Sequence, residues 1–357
     1  MEQNKKPKIF IWQGAWKGGA EKVMHDMALF LKGQYDITPT LGLFQGEERT
    51  DCPFPQLGIP RLLPKKLVSY NNILASILAR KQLKDFDLVL THTAGFWQTK
   101  KTGLAYREPG NLLRLFWNLP IKSKLLYLPA LLVAITSIKQ ARFPIAASKK
   151  AEDFFAHIGV NDFLSTVNFI DTSKLPEPQT KEYGQENTFH LLFVGRDDRI
   201  KNLSELIAAI TDLPENKNII LHIFGQNGTN TNRIHYHGWC TEEEITNFLT
   251  KKVHAFVLPS LFEASPLTLL LALMLGVPSI ASIEACPDEY KNTVMLAKTK
   301  KELQEALLNL LEDYPKHASN ATDRSAQIRT TFDKNTVLKK EFDTLFNLIE
   351  KRDQTRP

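Results

Sequence analysis

The chain has 357 residues, 43% of them hydrophobic and 24% charged, with a net charge of +6. That length suits two domains, each able to bury its own apolar interior, and the composition excludes a disordered or low-complexity protein. Three scattered cysteines, Cys52, Cys240 and Cys286, lack metal-ligand spacing, imply neither a disulfide framework nor a zinc site, and fit a reducing, cytoplasmic compartment.

The first predicted element is the strand KIFIW (8–12), reached from a charged N-terminus that lacks the apolar core and cleavage site of a signal peptide. QGAWKGGAEK follows, with Gly14, Gly18 and Gly19 ahead of a helix predicted from about Ala20 to Leu31. Small residues there let backbone amides approach an anion, or simply form a tight turn. The spacing is not G-x-G-x-x-G and no acid ends the second strand to hold a ribose, which argues against a dehydrogenase. Further strands at 36–44, 86–92, 103–107 and 143–148 alternate with helical patterns, as in a parallel sheet covered on both faces.

Between 100 and 150, ten basic residues stand against Glu108 alone, interleaved with Trp117, Tyr127 and many leucines. Two readings stand. The stretch rests on an anionic membrane as a peripheral contact on its inner face, or it is a core-packing helix with a solvated basic rim. The apolar run at 125–138 falls short of the roughly 20 residues of a membrane span, and Pro129 interrupts it. No nucleic-acid module accompanies the charge, so nucleic acid is not an expected partner.

From 171 to 187 the text turns polar and proline-bearing, without periodicity, and reads as a linker. The expected domains are therefore 1–170 and 188–330, with 331–357 as a closing helix. In the second domain, strands are predicted at 190–195, 219–225, 254–260 and 279–282. Helix starts are expected at Asn202 with Glu205, Thr241 with Glu244, and Thr299 with Glu302. Ser265 and Pro266 suit the N-cap and first position of a helix that ends just before Gly276. Two doubly wound α/β domains facing across a cleft are expected, with ligands at the carboxyl ends of their strands.

The loops at those ends carry the candidate chemistry. In VGRDDRIKN, Arg196 and Lys201 suit a diphosphate, with Arg199 as an alternative to either, although loop charges of this kind are also simply solvated. In LPSLFEASPL, Glu263 precedes a helix start. The helix dipole rewards a carboxylate there by about 0.3–1 kcal/mol, whereas each hydrogen bond from a sugar hydroxyl to it contributes roughly 1.5–3 kcal/mol.

Five segments in order carry a resemblance: GGAEK (18–22), DLVLTH (87–92), VGR with Lys201 five after Arg196, IFGQNG (223–228) and VLPSLFEASPLTLLLALMLGVPSIAS (257–282). Together they resemble the retaining GT-B glycosyltransferases of family 4, as does the tail TFDKNTVLKKEFDTLFNLIE (331–350), which matches that family's closing helix returning to the first domain. The resemblance implies transfer of a hexose-type sugar, with retention, from a nucleotide-diphosphate sugar to a glycan or lipid-linked acceptor, as in building a cell-envelope glycan. No metal or other cofactor is required. It places Glu263, Arg196, Lys201 and His92 in catalytic roles: Arg196 and Lys201 on the leaving diphosphate, Glu263 on sugar hydroxyls, and His92 beside the sugar. It places Gly18, Gly19, Gly225, Ser265, Pro266, Leu267, Thr268 and Leu271 around the donor.

One position departs from the pattern. Eight residues after Glu263 the family carries a glutamate that holds the nucleotide ribose, and here the residue is Leu271. Leucine accepts no hydrogen bond, which costs a few kcal/mol of donor affinity unless other groups such as Glu284 or Glu289 replace it. The segment SIEACPDEYKN also lacks the family's glycine pair, and Phe169 stands where glycine is usual. Alternatives are a GT-B fold that serves as a binding or scaffold partner, or a nucleotide-sugar epimerase or sugar phosphorylase.

Overall fold

The computed structural model describes residues 6–14, 19–65, 67–92, 104–108, 110–183, 188–196, 198–214 and 217–354. The chain divides into two compact units, Met1–Asn168 with Val337–Pro357, and Phe169–Thr336.

Unit 1 runs β1 (Ile9–Gly14), α1 (Gly19–Tyr35), β2 (Thr40–Phe44), β3 (Gln56–Ile59), α2 (Val68–Leu78), β4 (Leu88–Thr91), β5 (Leu104–Glu108), α3 (Leu112–Asn118), α4 (Ile121–Gln140), β6 (Phe143–Ala146), α5 (Lys149–His157) and β7 (Leu164–Ser165). Its sheet is parallel throughout, in the order β3-β2-β1-β4-β5-β6-β7. Strand β1 is buried along its whole length, as a central parallel strand covered on both faces must be. The Trp12 indole, fully buried, donates to Asn72 Oδ1 on α2 at 3.3 Å.

Unit 2 runs β8 (Phe189–Val194), α6 (Leu203–Thr211), β9 (Ile219–Phe224), β10 (Ile234–Gly238), α7 (Glu242–Lys251), β11 (Ala255–Leu258), α8 (Leu267–Met274), β12 (Ser279–Ala281), β13 (Met295–Leu296), α9 (Lys300–Glu312), α10 (Tyr314–Thr331) and the start of α11 (Lys334–Gln354). Its parallel sheet has the order β10-β9-β8-β11-β12-β13. Both units therefore have the expected doubly wound pattern, in which the winding reverses beside the first strand.

From Val337 onward α11 belongs to unit 1. Phe342 stacks on Phe30, Tyr35 meets Phe346 edge-on, and the Tyr35 hydroxyl donates to Asp343 Oδ1 at 2.6 Å. Deeper in, the Arg107 guanidinium donates to Glu341, to Asn168 Oδ1 at 2.7 Å and to the Val167 carbonyl at 2.8 Å.

The described part of the polar stretch 171–187, expected as a linker, lies in unit 2, where Arg329 of α10 donates to the carbonyls of Pro176 and Leu175. Two local expectations are corrected. Asn202 precedes α6 but makes no side-chain cap, because its backbone is left-handed (φ 52°, ψ 33°) and its amide donates instead to the Pro259 carbonyl at 3.3 Å. Its expected capping partner, Glu205, accepts from the Lys300 amide. Helix α8 begins one residue later than expected: Pro266, extended at ψ 108°, occupies the N-cap, leaving Ser265 outside. The expected starts at Thr241 and Thr299 are complete capping boxes. The apolar run at 125–138 lies within α4, which contains Pro129, and among the described residues no helix is long and apolar enough to cross a membrane.

Candidate functional site

In unit 2 the strand order reverses between β8 and β11, so the loops leaving their carboxyl ends diverge and open a crevice between them. The first loop starts at Gly195 and Arg196. Gly225, at the end of β9, holds φ +93°, and a Cβ there would lie 2.8 Å from the Gly195 carbonyl oxygen. Only glycine allows these two strand ends to meet at that distance. Gln226 then donates its side-chain amide to the Arg196 carbonyl at 3.0 Å.

Next, Asp198 accepts from the Ile200 amide and starts a single 3-10 turn over Arg199–Lys201. The second loop is tied to the first by Leu261 N–H donating to the Ile200 carbonyl at 2.7 Å and by Asn202 on Pro259. From beneath, Ser282 donates its hydroxyl to the Ser260 carbonyl. These ties bring Lys201 Nζ to 2.6 Å from Glu263 Oε1, so residues 62 apart in sequence form one partly buried ion pair.

The other candidates fall as follows. Arg196 is exposed, and among the described residues its guanidinium has no hydrogen bond or ion pair. Arg199 is exposed, so Lys201 is the cation that meets Glu263. Ser265, Leu267 and Thr268 are half-buried around the start of α8, where Pro266 supplies no side-chain cap to the first amides. Such a helix start is a seat for an anion. Leu271 is buried within the same helix.

Glu284 meets the loop through its backbone, accepting from the Glu263 amide at 3.4 Å, while its carboxylate pairs with Lys298 at 2.7 Å. Glu289 is exposed and Phe169 is buried. His92 follows β4 and Gly19 opens α1, both in unit 1, and Gly18 lies outside the described residues.

Tyr290 was absent from the sequence reading. Its ring is buried on the 3-10 segment Asp288–Thr293, and its hydroxyl has no hydrogen-bond partner among the described residues. Burial pushes its pKa well up, and the nearby Cys286, Glu289 and Glu263 add to this in smaller measure. A lone tyrosine after a strand carries no sequence signal of its own.

Cations at the head of one loop, uncapped helix amides behind the other, and a carboxylate between them together suit a ligand that is both phosphorylated and hydroxylated.

Residues 177–327, most of unit 2, match the family model described as glycosyl transferases group 1. No curated protein sequence matches the chain. Among solved structures, sucrose-phosphate synthase from Thermosynechococcus elongatus superposes with a TM-score of 0.78 at 13% identity, covering 97% of this chain and 100% of that one. WaaG, a glycosyltransferase involved in lipopolysaccharide biosynthesis, gives 0.76 at 17% identity over 94% and 99%. Anabaena HepE in complex with UDP and glucose gives 0.73 at 16% identity over 95% and 99%. The fold is that of the GT-B glycosyltransferases.

Proposed function

We propose that the protein is a retaining glycosyltransferase of the family 4 kind, moving a hexose-type sugar from a nucleotide-diphosphate donor to a glycan or lipid-linked acceptor. One observation carries this reading: the Lys201–Glu263 pair bridges the two loops at the switch point of the unit that matches the group 1 model. Lys201 and Arg196 face the departing diphosphate, adding positive charge as the bond from the anomeric carbon to the phosphate oxygen breaks. Glu263 accepts from hydroxyls of the transferred sugar, and the amides opening α8 hold a phosphate oxygen. With retention, the acceptor hydroxyl arrives on the face the phosphate leaves, and the phosphate takes its proton. Gly18, Gly19 and His92 keep the donor-side roles that the family resemblance implies, no metal is required, and an anionic membrane presents the acceptor.

Thermal shift and donor hydrolysis across UDP-, GDP-, dTDP- and ADP-sugars test it. One donor is expected to raise the melting temperature and to be hydrolysed slowly without acceptor, and dependence on free phosphate overturns the reading. Leu271 favours a second reading, a binding or scaffold protein without turnover; stabilisation by no donor supports that one. In the first reading Leu271→Glu tightens donor binding roughly tenfold by restoring a charged acceptor for the ribose.

A further inference from the structure

Helix α4 buries one face in the usual way: Ala130, Leu131, Ala134 and Ile138 are closed to solvent, and the last three of these belong to a core cluster of unit 1. Its opposite face is also apolar. Ile121, Leu125, Leu128 and Leu132 follow the spacing i, i+4, i+7, i+11 that aligns side chains along one side of a helix, and they are 78%, 75%, 40% and 56% exposed. Trp117 on α3 extends this face at 69% exposure, and Lys124 Nζ sits 5.1 Å from its ring centroid, a cation–π contact joining the two helices. A row of five large apolar side chains in water is unfavourable, and soluble surfaces rarely keep one without an occupant.

The charge around this row identifies the occupant. From Gly110 to Phe143 the chain has Arg114, Lys122, Lys124, Lys139 and Arg142 and no acidic residue. On α4, Lys122 and Lys124 flank the apolar row and Lys139 lies at its far end. The acid immediately before this stretch, Glu108, is buried, and desolvation pushes its pKa up to about 8, so it carries little charge at neutral pH. An apolar stripe whose own two helices carry cations and no acid complements a lipid surface with anionic headgroups: the leucines and tryptophan enter the acyl boundary while the ammonium groups stay among phosphates. A protein partner with a matching apolar groove accounts for the stripe but not for the single sign of its border.

We propose that α3 and α4 form a membrane-docking face that lies in the plane of an anionic bilayer, with Trp117, Ile121, Leu125, Leu128 and Leu132 inserted. This deepens the membrane contact of the transferase reading, and vesicle binding without any sugar nucleotide is scored apart from transfer.

The test is co-sedimentation of the full chain with vesicles of phosphatidylcholine alone or with about a third phosphatidylglycerol, in low and high salt. Binding to anionic vesicles is expected at least tenfold tighter than to neutral ones, weakened but not abolished by salt. Leu125→Gln with Leu132→Gln reduces it roughly tenfold or more, and Lys122→Gln with Lys124→Gln by roughly fivefold per cation. The leucines are exposed and leave the core untouched, so unchanged melting of these variants keeps the comparison valid. Three results overturn the proposal: no binding to anionic vesicles, binding indifferent to the leucine pair, or a concentration-dependent dimer in ultracentrifugation that the leucine pair abolishes, which makes a second copy the occupant.

Discussion

Arg107 and Glu341 in unit 1 are 2% and 0% exposed at the side chain, whereas Lys201 and Glu263 in unit 2 are 23% and 16% exposed at the strand ends. The first pair is closed off and well supplied with partners: Arg107 also donates to Asn168 and Val167, and Glu341 also accepts from Thr166 at 3.0 Å. A charge pair removed from water survives only with such full hydrogen bonding, and this one fastens the returning helix α11 to β5. In the second pair the Lys201 ammonium has three donors and, among the described residues, one acceptor, Glu263. Equal chemistry thus sits in two settings, and the difference lies in whether a third party can still reach the charges.

Substitution separates the two most sharply. Arg107→Met leaves a buried carboxylate uncompensated and is expected to destabilise unit 1 by roughly 3–5 kcal/mol, while transfer per folded molecule at low temperature is unchanged. Glu263→Gln is expected to change stability by less than about 1 kcal/mol and to lower the transfer rate by roughly 10²–10³-fold. Calorimetry and initial rates on the same samples check both. A Glu263→Gln protein that unfolds early but keeps its rate makes the second pair structural as well.

The units also bury opposite kinds of acid–base group, and the effect of pH on them is next in size. In unit 1, desolvation raises Glu108 to about 8 against the Gly110 amide that donates to it, so the folded state holds a proton that the unfolded chain has lost. Its contribution is full below the ordinary carboxylate value and disappears as pH rises through about 8.

In unit 2, a row of histidines crosses the sheet: His190 Nδ1 is 3.0 Å from His222 Nε2, His222 Nδ1 is 2.9 Å from His237 Nε2, and His254 Nδ1 accepts from the His190 amide. Burial, and then the neighbouring histidines with Lys252 and Lys181, lower His222 to about 3 and His254 to about 4. Their contribution is full above about 6.5 and is lost as pH falls toward 3–4. Acidifying from pH 8 to 5 is therefore expected to raise the melting of unit 1 and lower that of unit 2 by several degrees, read peptide by peptide in thermal proteolysis. His222→Gln is expected to flatten the response of unit 2 alone. A transition of unit 2 that rises on acidification contradicts the assignment.

What the sequence disclosed follows the same physical line. The nine strands expected from it correspond to β1, β2, β4, β5, β6, β8, β9, β11 and β12, the interior strands of both sheets, whose two-sided burial writes continuous apolar text. The four that went unread, β3, β7, β10 and β13, are the four sheet edges. All four are only partly buried and two of them, β7 and β13, are two residues long, so QLGI and LS carry no run to recognise. At the site, the strand-end loops and the helix start after Glu263 were legible from turn residues and charge. The meeting of Lys201 with Glu263 was not, because it depends on left-handed Asn202 and on the Leu261–Ile200 hydrogen bond, which join distant segments.

The smallest test contrasts one motif present in both units. Gly159 after α5 and Gly276 after α8 each hold a positive φ, +76° and +70°. Each closes its helix with paired hydrogen bonds: Val160 to Phe155 and Gly159 to Ala156 in one, Val277 to Ala272 and Gly276 to Leu273 in the other. A Cβ at Gly159 meets nothing within 4 Å, so Gly159→Ala carries only the left-handed penalty of about 1 kcal/mol. At Gly276 the same atom lies 3.1 Å from Thr322 Cα and 3.2 Å from Pro178 Cβ, and backbone on α10 must shift to admit it. Gly276→Ala is therefore expected to cost about 1–3 kcal/mol more than Gly159→Ala. Denaturant unfolding of the two variants measures the gap, and equal losses refute the close approach of α10 to the end of α8.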